Sequence, residues 1–195
     1  MSVTLGAING YALAFWRFKG AYFFFGLCLF GAFIPYQVMG YPLLKIDSAI
    51  GIYSSLPGII LVHTIFGMPI LTLIFRNFYS SLPIDLFKAA RFDGGNFLKI
   101  FFYVIIPMST PITIVAVILQ VTGIWNDFLL GLVFAGRDNQ PMTVLLNNIV
   151  QVKFGVVEYN VDMAATILTS ILPLAVYLLS GRWFVRGIAA GAIKG

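Results

Sequence analysis

Five long stretches of this chain contain no Lys, Arg, Asp or Glu, and they constrain the fold more than any other feature. They cover residues 1–16, 21–44, 48–75, 100–126 and 163–181. A helix needs roughly 20 apolar residues to cross the hydrocarbon core of a bilayer, so four stretches are long enough and the first is slightly short. Charged residues make up only 10% of the 195 residues, too few to solvate a globule. The sequence therefore predicts an all-α integral membrane protein with about five transmembrane helices.

The basic residues predict how these helices are oriented. If the five stretches alternate across the membrane, then residues 17–20, 76–99 and 182–195 share one side, which holds nine of the twelve Lys and Arg residues. Because basic residues in short loops favour the cytoplasm, we expect a cytoplasmic C-terminus and an extracytoplasmic loop at residues 126–162. The first span then begins outside with no signal peptide before it, so we expect a missing helix upstream of Met1.

The predicted cytoplasmic loop at residues 78–99 has the sequence features of an ordered helix followed by a turn. Pro83 and Asp85 suit the first turn of a helix, because proline fixes φ and a carboxylate complements the helix dipole. Gly94 suits the helix end, and Asn96 suits the N-cap of a following helix. The pattern predicts a short helix, a glycine turn and the start of the next span. On these residues alone, an amphipathic helix resting on lipid headgroups is an equally good interpretation.

The spacing in this loop is similar to a known motif. Lys88-Ala89-Ala90 is followed after three residues by Gly94, and after nine more by Val104-Ile105-Ile106-Pro107. This pattern resembles the EAA loop of ABC importer permeases, although a lysine stands where the family has a glutamate. The resemblance implies one permease domain, residues 1–195, with the type I ABC importer fold. It also implies an ATPase-coupling site formed by Lys88, Ala89, Ala90, Asp93 and Gly94.

Other motifs extend the resemblance over the whole chain. Residues 9–20 are similar to the end of the family's second span, and residues 125–129 to its Trp-Asn-Glu/Asp-Phe signature. The C-terminus resembles that of the maltose-type second permease subunit, which implies that Gly191, Lys194 and Gly195 contact the ATPase. Residues 34–37 and 158–163 resemble members that carry glucose or mannose. Family members usually have six spans, so the resemblance implies that the first is absent here.

The chain contains no Gly-x-x-x-x-Gly-Lys-Ser/Thr motif, so we expect it to bind no cofactor itself. The resemblance implies a transport subunit rather than an enzyme, with ATP and Mg used by a partner chain. The implied partners in the prokaryotic plasma membrane are a second permease subunit, forming a hetero-dimer, two cytoplasmic ATPase subunits and an extracytoplasmic sugar-binding protein. The basic residues form no patch, so we expect no nucleic acid.

Three polar residues near predicted span ends are candidates for the sugar pathway: Gln120, Asn126 and Asp127. The carboxylate could bond a sugar hydroxyl, but an anchoring or capping role at the outer surface is the preferred interpretation. His63 and Cys28 are the only residues of their kinds, and neither makes a metal site alone. We expect a packed or hydrogen-bonded histidine and no bound metal.

Two other classes of transporter stay open as alternatives. One is an ABC importer permease for a solute other than a sugar. The other is a secondary transporter driven by an ion gradient, which would need paired ionisable groups inside its spans, and the five stretches contain none. A membrane-embedded enzyme is less favoured, since it would need a cluster of His, Asp, Glu or Cys at membrane depth.

The charge distribution generates a topology prediction. In a Cys28→Ser background, Lys153→Cys should react with a membrane-impermeant maleimide in intact cells. Lys88→Cys and Gly195→Cys should react only after the cells are opened, because the positive-inside rule places both in the cytoplasm. Labelling of position 88 in intact cells would contradict the orientation.

Overall fold

The computed structural model describes the backbone of residues 1–151 and 159–192, and the side chains of residues 1–150 and 159–181. We number its helices in chain order: α1 (Ser2–Phe15), α2 (Ala21–Phe33), α3 (Tyr36–Ala49), α4 (Leu56–Ser81), α5 (Ile84–Phe92), α6 (Phe97–Ile100), α7 (Ile106–Met108), α8 (Thr110–Trp125), α9 (Leu129–Phe134), α10 (Met142–Gln151) and α11 (Tyr159–Ala192). A π-helical turn, Phe101–Ile105, joins α6 to α7, and a 3-10 turn, Arg137–Asn139, follows α9. The prediction of an all-α protein is confirmed.

Two helices in the described residues are long and apolar enough to cross a membrane without a break, namely α4 and the Tyr159–Gly181 part of α11. Two bent pairs also qualify if each is counted as one span: α2 with α3, and Phe97–Met108 with α8. The apolar helix α1 is shorter, at 14 residues. Each of the five charge-free stretches thus corresponds to helical structure, although α4 starts eight residues after its stretch does.

Seven prolines lie in the charge-free stretches, and only three of them lie at breaks between helices. Those at breaks are Pro35, Pro107 and Pro111. Those within continuous helices are Pro42, Pro57, Pro69 and Pro173. Pro57 occupies the first turn of α4, where a missing N–H removes no helical hydrogen bond. A proline in an apolar stretch therefore does not by itself mark the end of a helix.

Side chains replace the hydrogen bonds that two of the prolines remove. Pro111 cannot bond the carbonyl of Pro107, and the Thr110 hydroxyl donates to that oxygen at 3.1 Å. Pro173 cannot bond the carbonyl of Thr169, and the Trp125 indole N–H donates to it at 3.0 Å. Since lipid offers no donors, each unsatisfied carbonyl would cost several kcal/mol. Trp125 therefore has a structural role, because its indole N–H replaces the donor that Pro173 lacks.

The bend between Phe97–Met108 and α8 is 81°, and it is centred on Ser109. The Ser109 N–H bonds the carbonyl of Ile106, so the carbonyl of Ile105 loses its usual partner. The fully buried Ser109 hydroxyl donates to that carbonyl instead and lies 3.3 Å from the Tyr79 hydroxyl. The bend is thus satisfied internally and tied to α4.

The described residues form two compact units, each drawn from separate parts of the chain. The first holds Met1–Ile34, Ile65–Gln120 and the described end of α11 from Arg182; the second holds Pro35–Thr64 and the described residues of Val121–Gly181. Buried apolar side chains of α1, α4, α5, α8 and the α6–π-turn segment form the core of the first unit. In the second, Leu43, Ile59, Leu130, Phe134 and Val144 are buried.

Two glycines let α1 and α4 approach closely in the first unit. A Cβ on Gly6 would lie 2.7 Å from the Leu71 Cβ, and one on Gly10 would lie 2.7 Å from the Arg76 nitrogen and the Phe75 Cβ. This Gly-x-x-x-Gly spacing places both glycines on one helix face, as in close-packed membrane helices. The sequence analysis had not singled it out.

Gly10→Leu should therefore destabilise the protein by about 1–3 kcal/mol through overpacking. The measurement is the midpoint of thermal aggregation of the detergent-purified subunit. Gly26→Leu is the matched control, because a Cβ added at that helical glycine meets nothing within 4 Å. Equal midpoints for the two variants would show that the α1–α4 contact does not limit stability.

Candidate functional site

The short cytoplasmic helix predicted from the sequence is α5. Pro83 occupies its N-cap position, Asp85 its first turn and Arg91 its last turn, so both charges complement the helix dipole. The predicted N-cap of the following helix is also confirmed, since the Asn96 side chain accepts a hydrogen bond from the Lys99 N–H at 2.9 Å. Because α4 continues through Ser81, the first residues of the predicted loop at 78–99 are still helical.

Two glycines form the turn after α5, for different physical reasons. Gly94 has a φ of 77°, a left-handed conformation that L side chains rarely adopt. Gly95 donates its N–H to the carbonyl of Ala90 at 2.9 Å, and a Cβ on it would lie 2.5 Å from that oxygen. The first glycine is required by backbone conformation and the second by space. This hydrogen bond closes the helix end and fixes the direction of the chain into α6.

An aromatic clamp holds α5 against the end of α1. We use this name for Phe15, Trp16 and Phe87. The buried Phe87 ring stacks on Phe15 with centroids 4.8 Å apart, and it meets the edge of Trp16 at 5.7 Å. The Arg91 guanidinium lies 4.7 Å above the Trp16 ring. These contacts hold α5 at its middle and near its C-terminal end. Sequence analysis missed the clamp because aromatic residues at span ends also suit the lipid interface.

A second contact fixes the helix after the glycine turn. The fully buried Tyr11 of α1 lies with its ring centroid 4.7 Å from that of Phe97, and its hydroxyl donates to the Phe97 carbonyl at 3.3 Å. Helices α5 and α6 therefore both rest on α1. The π-helical turn that continues α6 also packs on α1, since Tyr11 and Phe101 have ring centroids 5.3 Å apart.

The opposite side of α5 is exposed, and we call it the docking face. Its residues are Leu86, Lys88, Ala89, Phe92 and Asp93, and the Phe92 side chain is 91% exposed. Of the five predicted coupling residues, Lys88, Ala89, Asp93 and Gly94 are exposed and Ala90 is half-buried. The structure therefore brings the predicted residues together on one surface element. Sequence analysis did not single out Leu86 and Phe92, its large apolar members.

Lys88 forms an ion pair within the helix. Its Nζ lies 3.2 Å from the Asp85 Oδ1, and both side chains are largely exposed. Such surface pairs contribute up to about 1 kcal/mol, so this pair orients the lysine without adding much stability.

The three predicted pathway residues are divided between the two units. The amide of Gln120 packs against Gly67 in the first unit, where a Cβ would lie 2.5 Å from its Oε1. Asn126 is exposed and belongs to the second unit, as does Asp127. Their role in a pathway stays a prediction.

Asp127 caps a helix of the second unit. Its Oδ1 accepts from the Leu130 N–H at 3.2 Å, and its Oδ2 accepts from the Gly131 N–H at 2.8 Å. The same Oδ2 lies 3.8 Å from the Nε2 of His63, whose side chain is mostly buried. The carboxylate therefore anchors the start of α9, as the preferred interpretation of the sequence had it. His63 is packed beside it, as expected.

The predicted tail contact falls mainly outside the described residues. Gly191 lies in α11, while Lys194 and Gly195 lie beyond the part of the chain that the structure describes. Their contact with an ATPase stays a prediction.

Comparison with known proteins decides the family. Residues 2–190 match the model of the binding-protein-dependent transport system inner membrane component. The chain belongs to this family. It is 41% identical over 87% of its length to a probable ABC transporter permease protein of Pyrococcus horikoshii. It is 33% identical over 98% of its length to an osmoprotective compounds uptake permease of Synechocystis, and 32% identical over 99% to an alpha-glucoside transport system permease of Rhizobium meliloti.

A solved structure supports the fold. A chain of a bacterial ABC transporter involved in the import of the acidic polysaccharide alginate superposes with a TM-score of 0.71 at 21% identity, covering 92% of this chain and 70% of that one. The expected fold of an ABC importer permease is confirmed. The present chain spans 61%, 64% and 52% of the lengths of the three relatives above, in the same order.

The clamp generates a prediction about stability. Phe87→Ala should lower the free energy of unfolding by about 3–5 kcal/mol, because it opens a cavity against two aromatic rings. Phe92→Ala is the matched control, since it removes the same ring from an exposed position of the same helix. Thermal denaturation of the purified subunit should separate the two variants. Equal loss in both would mean that Phe87 does not hold α5 in place.

Proposed function

We propose that this chain is the permease subunit of a binding-protein-dependent ABC importer and forms part of the path of a sugar across a prokaryotic plasma membrane. The observation that supports this most is α5 itself. It is a short helix with an exposed docking face, and the aromatic clamp holds it rigidly to a membrane helix. Family membership and the fold give independent support.

The docking face suits contact with a cytoplasmic ATPase. Leu86 and Phe92 expose apolar area, and the small Ala89 between them lets a partner surface approach closely. When the ATPase closes, α5 is displaced as a rigid body, and the clamp transmits that displacement to α1. The Tyr11–Phe97 contact extends the same displacement to α6 and the π-helical turn, and so to the bent helix that follows.

The energy for transport comes from partner chains in this proposal. Two ATPase subunits bind ATP and Mg, a second permease subunit completes a hetero-dimer, and the present chain binds no nucleotide and catalyses no reaction. The absence of a phosphate-binding glycine motif from the sequence supports that division. Gly191, Lys194 and Gly195 are proposed as a further contact with the ATPase, on a cytoplasmic C-terminus.

A sugar is the proposed solute, and the alpha-glucoside permease of Rhizobium meliloti among the relatives supports it. The runner-up is another small solute, which the osmoprotective compounds permease of Synechocystis favours. Within the sugar hypothesis a glucose or mannose carrier is the finer proposal. Uptake of labelled glucose, mannose and alpha-glucosides by cells that carry the intact operon would separate these possibilities.

The segment from α9 to α10 is proposed as the contact for an extracytoplasmic binding protein. Asp127 caps α9, and the buried Leu130, Phe134 and Val144 show that the segment is packed. Between the two helices, the 3-10 turn Arg137–Asn139 is exposed and polar. A fixed polar turn of this kind suits the reversible docking of a soluble protein.

The proposal is tested at the glycine turn. Gly94→Val places a β-branched side chain at a positive φ and should cost about 1–3 kcal/mol of backbone strain. We expect it to misdirect α5 and lower copurification of the ATPase about tenfold, with transport falling in parallel. Gly51→Val is the matched control, because Gly51 also has a positive φ, of 75°, and open surroundings, yet lies far along the chain from α5. Full transport with normal ATPase copurification in Gly94→Val would contradict the coupling role.

A further inference from the structure

A basic cavity lies in the first unit, where α1 ends, α2 begins and α4 ends. Its volume is about 770 Å³, within the usual range for small-molecule pockets. Two arginines, Arg17 and Arg76, line it together with the aromatic residues Trp16, Phe18, Tyr22 and Phe25. No acidic residue is among the lining residues. The cavity therefore combines positive charge with apolar walls.

Neither arginine is neutralised within the part of the chain that the structure describes. The ion pairs found there are those of Asp85 with Lys88 and of Asp127 with His63. The Arg76 guanidinium instead lies 4.2 Å from the centre of the Phe25 ring, and that contact holds it in position without cancelling its charge. The guanidinium groups of Arg17 and Arg76 line one cavity and together attract an anion. Their planar, forked donors suit phosphate in particular.

An exposed tyrosine at the rim of the cavity suits the lipid headgroup region. Tyr22 is 94% exposed at the start of α2, and tyrosine in such a position prefers the membrane interface. Further along α2, Phe23, Phe30 and Phe33 are also strongly exposed, as in a lipid-facing helix. The arginines belong to the basic side of the chain, where an anionic leaflet attracts cations.

We propose that this cavity binds the headgroup phosphate of an anionic phospholipid. Arg17 and Arg76 contact the phosphate, and Phe18 and Tyr22 pack against the glycerol and the upper acyl chains. Ile84, the first residue of α5, also lines the cavity. A bound lipid would therefore touch the coupling helix and link membrane composition to the stiffness of the joint between α1, α4 and α5. Free phosphate shares the chemistry, but the apolar walls and the exposed rim favour a lipid.

The test uses the assembled transporter, purified in mild detergent and mixed with equal amounts of phosphatidylglycerol and phosphatidylcholine. Native mass spectrometry counts the lipids that stay bound. We expect a preference for phosphatidylglycerol of about fivefold or more, as expected for the added attraction of basic side chains. Arg17→Gln with Arg76→Gln should make retention of the two lipids nearly equal. Lys19→Gln with Lys99→Gln removes the same charge outside the cavity and should keep the preference.

Several results would overturn the proposal. If the unaltered transporter retains both lipids equally, the proposal is refuted without any variant. It is also refuted if the Lys19→Gln and Lys99→Gln control loses the preference for phosphatidylglycerol as fully as the arginine variant does. Arg17→Lys with Arg76→Lys keeps the charge without the guanidinium fork, and we expect an intermediate preference; an unchanged preference would refute the assigned ligands. If about 10 mM inorganic phosphate abolishes the preference, the cavity is a site for free phosphate, whereas a retained preference supports the lipid.

Discussion

A backbone carbonyl that loses its helical partner inside a bilayer has to find a donor in the protein, because lipid offers none. This constraint bears on every proline in the apolar stretches, of which the chain has seven. The Thr110 hydroxyl and the Trp125 indole supply the bonds that Pro111 and Pro173 cannot make. Ser109 does the same for the carbonyl of Ile105 at the centre of the 81° bend. The breaks are therefore specific structures and not weak points of the helices.

Close packing holds the junction around α1 together. Gly6 and Gly10 bring α1 close to α4, and the aromatic clamp and Tyr11 then attach α5 and α6 to the end of α1. A helix so attached cannot rotate freely on its glycine turn. In the proposed coupling, a displacement of α5 passes to α1 through these packing contacts, and no chemical step is needed for the transfer.

Structural features that depend on neighbouring residues could be predicted from the sequence. Features that depend on contacts between residues far apart in the chain could not. The charge-free stretches gave the helical class, and Pro83, Gly94 and Asn96 gave the bounds of α5 and its turn, because caps and turns depend on neighbouring residues. The clamp could not be predicted, since Phe15 and Phe87 are 72 positions apart and an aromatic residue near a span end also suits the interface.

The helix breaks and the predicted pathway residues also separate what local sequence predicts from what distant contacts decide. Proline alone did not tell a break from a continuous helix, since side-chain donors meet the freed carbonyls both at the Pro111 break and inside α11 at Pro173. For Asp127 the sequence left two roles open, and the positions of two backbone N–H groups show the capping role. Gln120 illustrates the limit, since its contact with Gly67 follows from the packing of two helices and from no local pattern.

Lys88 contributes little net charge to the docking face that the proposed ATPase would contact. Its charge is matched by Asp85 within the helix, and the charge of Arg91 lies over Trp16, so α5 presents little net charge to a partner. Burial of a phenylalanine contributes about 1.5–3 kcal/mol, more than an exposed ion pair does. Phe92 and Leu86 therefore outweigh Lys88 in any contact that covers this face. In the proposed docking, apolar area and the small Ala89 therefore supply the fit, and a glutamate at position 88 is not required.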